Sequence, residues 1–474
     1  MRGCLKMNII KRFFEPRYMV KENLICGELP TACEAYGTAL QLAWPSALES
    51  VLIALIASID TMMVGGLGSA AISAVGITTQ PKFILLALVI TLNIGVTAIV
   101  ARRRGEGDIE GANRCLKQAL LISAGLGVIM TVISQLFARD LVLFAGAKPD
   151  YVDDATAYFK IMMSMTAFNT CAMTMNAAQR GYGNTRISMV TNVTANLANV
   201  LFNWLLINGM WIFPRMEVRG AALATAISSV VAFCIALSSV IKPAQNKLSL
   251  TAQRTWSFDK RTVSGMVKVA SSALVEQVFL RVGFFIYSRL AANLGTVEFA
   301  THQVCMSLIH ISFAFGDGFG VASTSLVGRG LGEGRPDKSM IYGRVGQRLA
   351  LIMGILLAAV FVAFRYQLIE LYSNEAPVIE MGGQIVYIIA LTCLVQTSQV
   401  VISGCLRGAG DSKFVAVSSF ISVGIVRTVV SWFLCYPCGL GLIGMWLGLF
   451  LDQFMRLVLN FIRFRGAKWT LVKL

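Results

Sequence analysis

The sequence predicts an all-α integral membrane protein with twelve spans in two homologous six-helix lobes related by a pseudo-twofold axis along the membrane normal. Three observations carry this. The 474 residues are 56% hydrophobic and only 14% charged, whereas a soluble domain carries about a quarter charged residues. Apolar stretches recur at the length of about 20 residues that a helix needs to cross hydrocarbon. Short motifs also reappear at a common offset of 227 residues.

Residues 1–37 read as a cytoplasmic tail of mixed basic and apolar residues without a secretory leader. Spans follow near 38–65, 70–101, 116–138, 155–179, 187–208 and 220–241 and make the first lobe. A polar linker, 242–262, carries Lys242, Lys247, Arg254, Lys260 and Arg261. The second lobe, 263–463, holds spans near 263–291, 299–328, 342–364, 381–405, 414–436 and 440–463, before a cytoplasmic tail at 464–474.

The net charge of +16 could suggest nucleic acid, but its placement excludes that partner. Most Lys and Arg fall in alternate interhelical segments, the positive-inside pattern. It puts both termini in the cytoplasm of a multi-pass plasma or inner membrane protein, with the lipid bilayer as its surroundings. The 11 cysteines are scattered and form no disulfide framework. Cys435 and Cys438 make a C-x-x-C at a predicted outer loop, where a disulfide, a metal pair and chance spacing all remain open, chance being favoured.

The repeat shows in three pairs: Leu67-Gly68 with Leu294-Gly295, Gly105-Glu106-Gly107 with Gly332-Glu333-Gly334, and Arg180-Gly-Tyr-Gly-Asn-Thr-Arg186 with Arg407-Gly-Ala-Gly-Asp-Ser-Lys413. Six spans per half give a parallel repeat, and transporters commonly bind substrate between such halves.

Polar groups at membrane depth mark the candidate sites, because a carboxylate there costs about 2.5–3.5 kcal/mol on insertion scales. Glu49 and Asp60 share one face of the first span, about 16 Å apart along the axis. Glu276 is the repeat equivalent of Glu49. Asp317 lies in Gly316-Asp317-Gly318, where glycines permit close approach of a helix or ligand. Lys82 follows Pro81, which frees a carbonyl. Arg427 and Asp452, in the last two spans, read as a structural ion pair, whereas Glu276 and Asp60 read as functional. Desolvation disfavours a carboxylate's charged form, so a buried one can exchange a proton near neutral pH; helped by neutral oxygens it can also hold Na⁺. Asn192, Asn196, Asn199 and Asn203 run along the fifth span, the last three on one face, as helix–helix hydrogen bonding or a polar cavity lining. Asn176, Gln277, Gln303 and Gln396 join Glu49, Lys82 and Asp317 as candidate cleft residues. His302 reads as a hydrogen-bonded structural histidine. No nucleotide-binding loop, clustered His/Cys metal site or nucleophile–base set stands out. An ion gradient is therefore the expected energy source, with no cofactor and no enzyme activity.

Together these stretches resemble the multidrug and toxic compound extrusion (MATE) family, prokaryotic type, from about Thr38 to Trp469. The resemblance rests on Trp44-Pro45, Ile59-Asp60-Thr61-Met62-Met63-Val64, Leu67-Gly68 with Ala74-Val75-Gly76, and Ala101-Arg-Arg-Arg-Gly-Glu-Gly-Asp108. Arg180-Gly-Tyr-Gly-Asn184, Gly220-Ala-Ala-Leu-Ala-Thr225, His302-Gln303, Val327-Gly328-Arg329 and Arg407-Gly-Ala-Gly-Asp411 complete it. It implies a V of two lobes around a cleft, a monomer, and antiport of organic cations against H⁺ or Na⁺. By the same resemblance Asp60 matches a coupling aspartate, Glu276 a cation-site glutamate of one branch, and Asn199 an asparagine of the other branch's cation site. Two departures stand out: Asn203 and Gln396 occupy positions where those branches carry aspartates. Loss of the charge that attracts a monovalent cation favours proton over sodium coupling. A flippase of a lipid-linked precursor, using Lys82, Arg281 and Arg427 to hold a pyrophosphate, is the alternative. A non-transporting scaffold is more remote.

Overall fold

The computed structural model describes residues 14–472 apart from 21, 66–68, 148, 150, 211–213, 242–247, 252–258 and 374. Among them the regular structure is helical throughout. The first half contains α1 (Ala32–Gly65), α2 (Ser69–Gly105), α3 (Ile109–Leu136), α4 (Ala138–Phe144), α5 (Val152–Ser164), α6 (Thr166–Gly181), α7 (Thr185–Asn208) and α8 (Glu217–Ile241). The second contains α9 (Lys260–Leu294), α10 (Thr296–Gly332), α11 (Pro336–Ala363), α12 (Arg365–Glu370), α13 (Ala376–Gly408), α14 (Ser412–Ser419), α15 (Thr428–Cys435) and α16 (Gly441–Arg465), with a π-helical turn at Phe420–Arg427 joining α14 to α15.

Ten of the helical segments are long and apolar enough to cross a membrane. The 34-residue α1 supplies another expected span. The span expected at 155–179 is instead two helices, α5 and α6, that meet at Met165 with φ −103° and ψ 20°. No proline or glycine marks that break. The tenth and last spans of the second half are single helices, and the eleventh is interrupted by the π turn.

The duplication is visible in detail. The short helices α4 and α12 begin 227 residues apart and fall in segments that the sequence reading left between spans. Each starts after a phenylalanine, Phe137 or Phe364, at φ −111°. The Thr97 hydroxyl donates to the Ala177 carbonyl at 3.1 Å, and its equivalent Thr324 donates to the Gly404 carbonyl at 2.9 Å. Gly181 presses on the Thr97 backbone as Gly408 presses on that of Thr324, so each threonine bond spans a contact too close for a Cβ.

The chain divides into two compact units. One comprises residues 1–48, 104–107 and 271–474, the other 49–103 and 108–270. The division falls inside α1, between Leu48 and Glu49. In the first unit α13 is the most buried span and packs on α10, α11 and α16. Ala35, Ala39, Ala43 and Ala47, spaced one turn apart on α1, join its core, and Gly318 allows α10 to approach Ala47 closely. Residues preceding α1 also pack on this unit: Met19 is fully buried, the Cys26 N–H donates to Asp337 at 3.2 Å, and Arg335 donates to the Glu28 carbonyl at 2.7 Å. In the second unit α3, α6, α7 and α8 pack together. Part of the linker returns to them: the Leu250 N–H donates to Val240 O and the Ser249 N–H to the Asn113 side chain.

Candidate functional site

Glu49 opens the second unit and is 5% exposed. Among the described residues its Oε1 takes three polar contacts: the Asn192 amide donates to it, the Ser188 hydroxyl donates at 3.2 Å, and Arg180 Nη1 lies 3.5 Å away. Arg180 also donates to Ser188 at 2.8 Å. Asn176 extends the chain by donating to Asn192 Oδ1 at 3.3 Å. Two acceptors in this network, Glu49 Oε2 and Asn176 Oδ1, are buried with no hydrogen-bond partner among the described residues. The arrangement follows from the local fold. Arg180 ends α6 and Ser188 and Asn192 begin α7, one turn apart, so the tight Gly181–Asn184 connection brings all three to one carboxylate.

The first unit repeats this construction. Glu276, 2% exposed, accepts from Arg407 Nη2 at 2.6 Å and from the Ser419 hydroxyl at 3.1 Å. Arg407 and Ser419 are the equivalents of Arg180 and Asn192 at the offset of 227. Sequence reasoning used Arg180 and Arg407 only as repeat markers and missed that they are the carboxylates' partners.

A second buried pair lies in the same unit. Arg427, at the end of the π turn, donates to Asp452 through Nε at 3.0 Å and also through Nη2. Arg456 reaches the other Asp452 oxygen at 3.4 Å and the Ser422 hydroxyl at 3.3 Å. The Arg427 guanidinium stands 4.7 Å from the Phe284 ring centroid and 5.7 Å from that of Tyr287. This cation is therefore neutralised and stacked, and it does not offer the open cationic surface that the flippase reading asked of it.

The remaining candidates fall in several places. Asn199 and Asn203 are buried on α7; Asn203 donates to Asn199 Oδ1, and Asn199 donates to Thr225 of α8, both at 3.3 Å. Asn196 instead donates to the Asn192 backbone, which separates it from that pair. Asp60 lies on α1, but its side chain is outside the described residues, as are Leu67 and Gly68. Gln396 is buried on α13 and its Oε1 has no partner among the described residues. Gln277 and Lys82 are half-buried, and Gln303 and Asp317 are exposed. His302 is buried with its Nδ1 unpartnered among the described residues, and its ring packs against Tyr287 at 5.3 Å and Trp446 at 5.7 Å. Cys435 and Cys438 are both free thiols, the first buried and the second exposed. A cleft of about 430 Å³ in the first unit, lined by Glu298, Glu380 and Gln384 among others, includes none of the candidate residues.

Comparison with known proteins joins these observations. The MatE family model matches twice, over residues 45–205 and 273–433, so each half carries one copy. A probable multidrug resistance protein NorM of Thermotoga maritima is 26% identical over 431 residues, covering 91% of this chain and 92% of the relative. The uncharacterized transporter YisQ of Bacillus subtilis is 23% identical, covering 90% and 94%. Among solved structures, the outward-facing conformation of a multidrug resistance MATE family transporter of the MOP superfamily aligns with a TM-score of 0.85 at 20% identity, over 92% of this chain and 97% of that one. A MOP superfamily transporter from Pyrococcus furiosus, described as having a binding pocket of reverse polarity that suggests a different function, aligns with a TM-score of 0.85 at 21% identity, over 91% and 95%.

Proposed function

The chain belongs to the MatE family, and from that premise we propose that it is a secondary antiporter exporting small organic cations across the cell membrane in exchange for H⁺. The relatives named as multidrug resistance proteins support export of small molecules. The observation that carries the coupling is the duplicated buried pair, Glu49 with Arg180 and Glu276 with Arg407. A carboxylate at membrane depth beside a guanidinium is held in place only while it is charged. Taking up a proton removes the attraction and leaves a buried guanidinium in need of another partner, which is costly. Proton uptake at such a group therefore supplies free energy to a conformational change.

Asp60 and Glu276 are the proposed coupling carboxylates, and Asn199 and Asn203 of α7 complete the proposed ion-coupling set. The neutral amides at Asn203 and Gln396 support H⁺ over Na⁺, since a desolvated Na⁺ needs negative charge as well as oxygen ligands. No cofactor beyond the coupling ion enters this reading, the protein acts as a monomer, and its termini lie in the cytoplasm. Substrate export from proteoliposomes under an imposed H⁺ or Na⁺ gradient, comparing wild type with Asp60→Asn and Glu276→Gln, tests it.

A further inference from the structure

We propose that an exposed stripe of α10, carried by Gln303, His310 and Phe313, is a surface that receives substrate, and that the class it selects is organic cations with flat aromatic rings. The inference rests on the export reading above. It adds to that reading the ring-bearing class and two residues, His310 and Phe313, from outside the candidate set.

α10 is a 37-residue helix whose segment Val297–Gly332 is long and apolar enough to cross a membrane. Between residues 303 and 317 its exposed side chains are Gln303, His310, Phe313 and Asp317. With 3.6 residues per turn, these four positions share about a quarter of the helix circumference. The opposite side, with Cys305, Leu308, Ile309 and Ser312, is buried. One side of the helix is therefore open, and three of its four open residues are polar. A lipid-type stripe looks different: between residues 350 and 360 of α11 the exposed side chains are Ile352, Ile355, Leu356, Ala359 and Val360, all apolar. An imidazole or a carboxylate set against hydrocarbon is costly, and such groups within a span face the bundle interior or a water-filled cavity. This stripe is not packed in the interior, so it faces water. Asp317 takes part in an interaction within the chain; it marks the stripe as polar and is not asked to hold the ligand.

The other three residues define the ligand. His310 and Phe313 lie one turn apart, and Phe313 is 45% exposed. Two aromatic rings thus reach the water side by side. A ring face attracts a cation and takes another aromatic ring in an offset stack. Gln303 lies two turns before His310, about 10 Å along the axis, and its amide can both donate and accept. A flat ring system that carries positive charge uses all three groups. A compact cation without rings gains little from them.

The test is cysteine accessibility in proteoliposomes of the full-length protein. A charged methanethiosulfonate reagent is supplied on both sides of the membrane, and labelling is read by mass spectrometry on the peptide carrying the new cysteine. His310→Cys is expected to react, and Ile355→Cys on the apolar stripe of α11 is expected to stay unlabelled. Ethidium, a flat aromatic cation, at about ten times its Kd is expected to slow labelling at residue 310 about tenfold, in proportion to the sites left empty. Tetraethylammonium, a cation without rings, is expected to give no protection. Phe313→Ala is expected to weaken ethidium binding about two- to fivefold, the effect of one exposed cation–π contact. Phe313→Tyr is expected to retain it, and this pair serves where His310→Cys fails to fold. An unlabelled His310→Cys in folded protein, equal protection by the two cations, or undiminished ethidium binding by Phe313→Ala overturns the proposal. Gradient-driven ethidium export by wild type judges the export reading separately. Export without protection at residue 310 sinks this proposal alone, whereas protection without export sinks that reading and leaves the site standing.

Discussion

Arg180 Nη1 lies 3.5 Å from Glu49 Oε1, and 227 residues later Arg407 Nη2 lies 2.6 Å from Glu276 Oε1. Duplication preserved the partnership, but the two copies differ in tightness. Arg180 divides itself between Glu49 and Ser188, whereas at the position equivalent to Ser188 the second half has Val415, and Arg407 closes directly on its glutamate.

The Arg427–Asp452 pair is the most enclosed, with side chains 1% and 0% exposed. Removing one member of such a pair leaves an uncompensated charge, at a cost of about 3–5 kcal/mol. Arg427→Met alone and Asp452→Leu alone are therefore expected to lower the thermal unfolding temperature in detergent sharply. The double variant is expected to recover only part of the loss, because Arg456 would still lack its Asp452 partner. Equal stability of both single variants and wild type would show that the pair contributes nothing.

Glu276→Gln keeps the shape of the side chain but removes the charge that holds Arg407. Gradient-driven export is expected to fall at least about tenfold, the effect of losing one charge-assisted contact worth about 1.5–3 kcal/mol. Arg407→Gln is expected to produce a comparable loss. A Glu276→Gln protein that exports at the wild-type rate would remove Glu276 from the coupling set.

Asn203 is fully buried and donates to Asn199, with Thr225 next in line. Asn203→Asp adds a negative charge to a group of hard oxygen donors. The variant is expected to gain Na⁺-dependent export or Na⁺-dependent thermal stabilisation that the wild type lacks. Isothermal titration with NaCl against choline chloride reads this directly, and identical responses in the two proteins would count against a cation-sized site there.

Gly181 and Gly408 occupy equivalent close contacts, with a Cβ on Gly181 placed 2.6 Å from the Thr97 carbonyl oxygen. Gly408 is tighter still against Thr324. Overpacking against backbone costs about 1–3 kcal/mol, so both alanine variants are expected to melt earlier, Gly408→Ala the more. Unchanged melting in either would mean that the helices separate at little cost.

Much of this was legible in the sequence because the relevant signals are local or repeated. Hydropathy marks long helices, and a fixed offset marks duplication even where single motifs are short. The Glu–Arg pairs were legible in principle: two carboxylates and two arginines repeat at one offset, so a contact in one half implies its copy in the other. Other features carry no such mark. The break at Met165 lacks proline and glycine, and no local residue pattern marks the π turn at Phe420–Arg427, which ends on the buried Arg427. Nothing in the amino-acid order marks Arg463 as the partner of Asp411; only the packing of α16 against its neighbours brings them together. Hydropathy likewise left α4 and α12 unassigned between spans, because helices of seven and six residues have no periodicity long enough to read.

The most direct test of the central claim is export of a fluorescent organic cation from proteoliposomes under separate H⁺ and Na⁺ gradients, with wild type beside Asp60→Asn and Glu276→Gln. The account predicts that the H⁺ gradient alone drives export in wild type and that each neutralised variant loses most of it. Export driven by Na⁺ alone, or full H⁺-driven export in both variants, would contradict it.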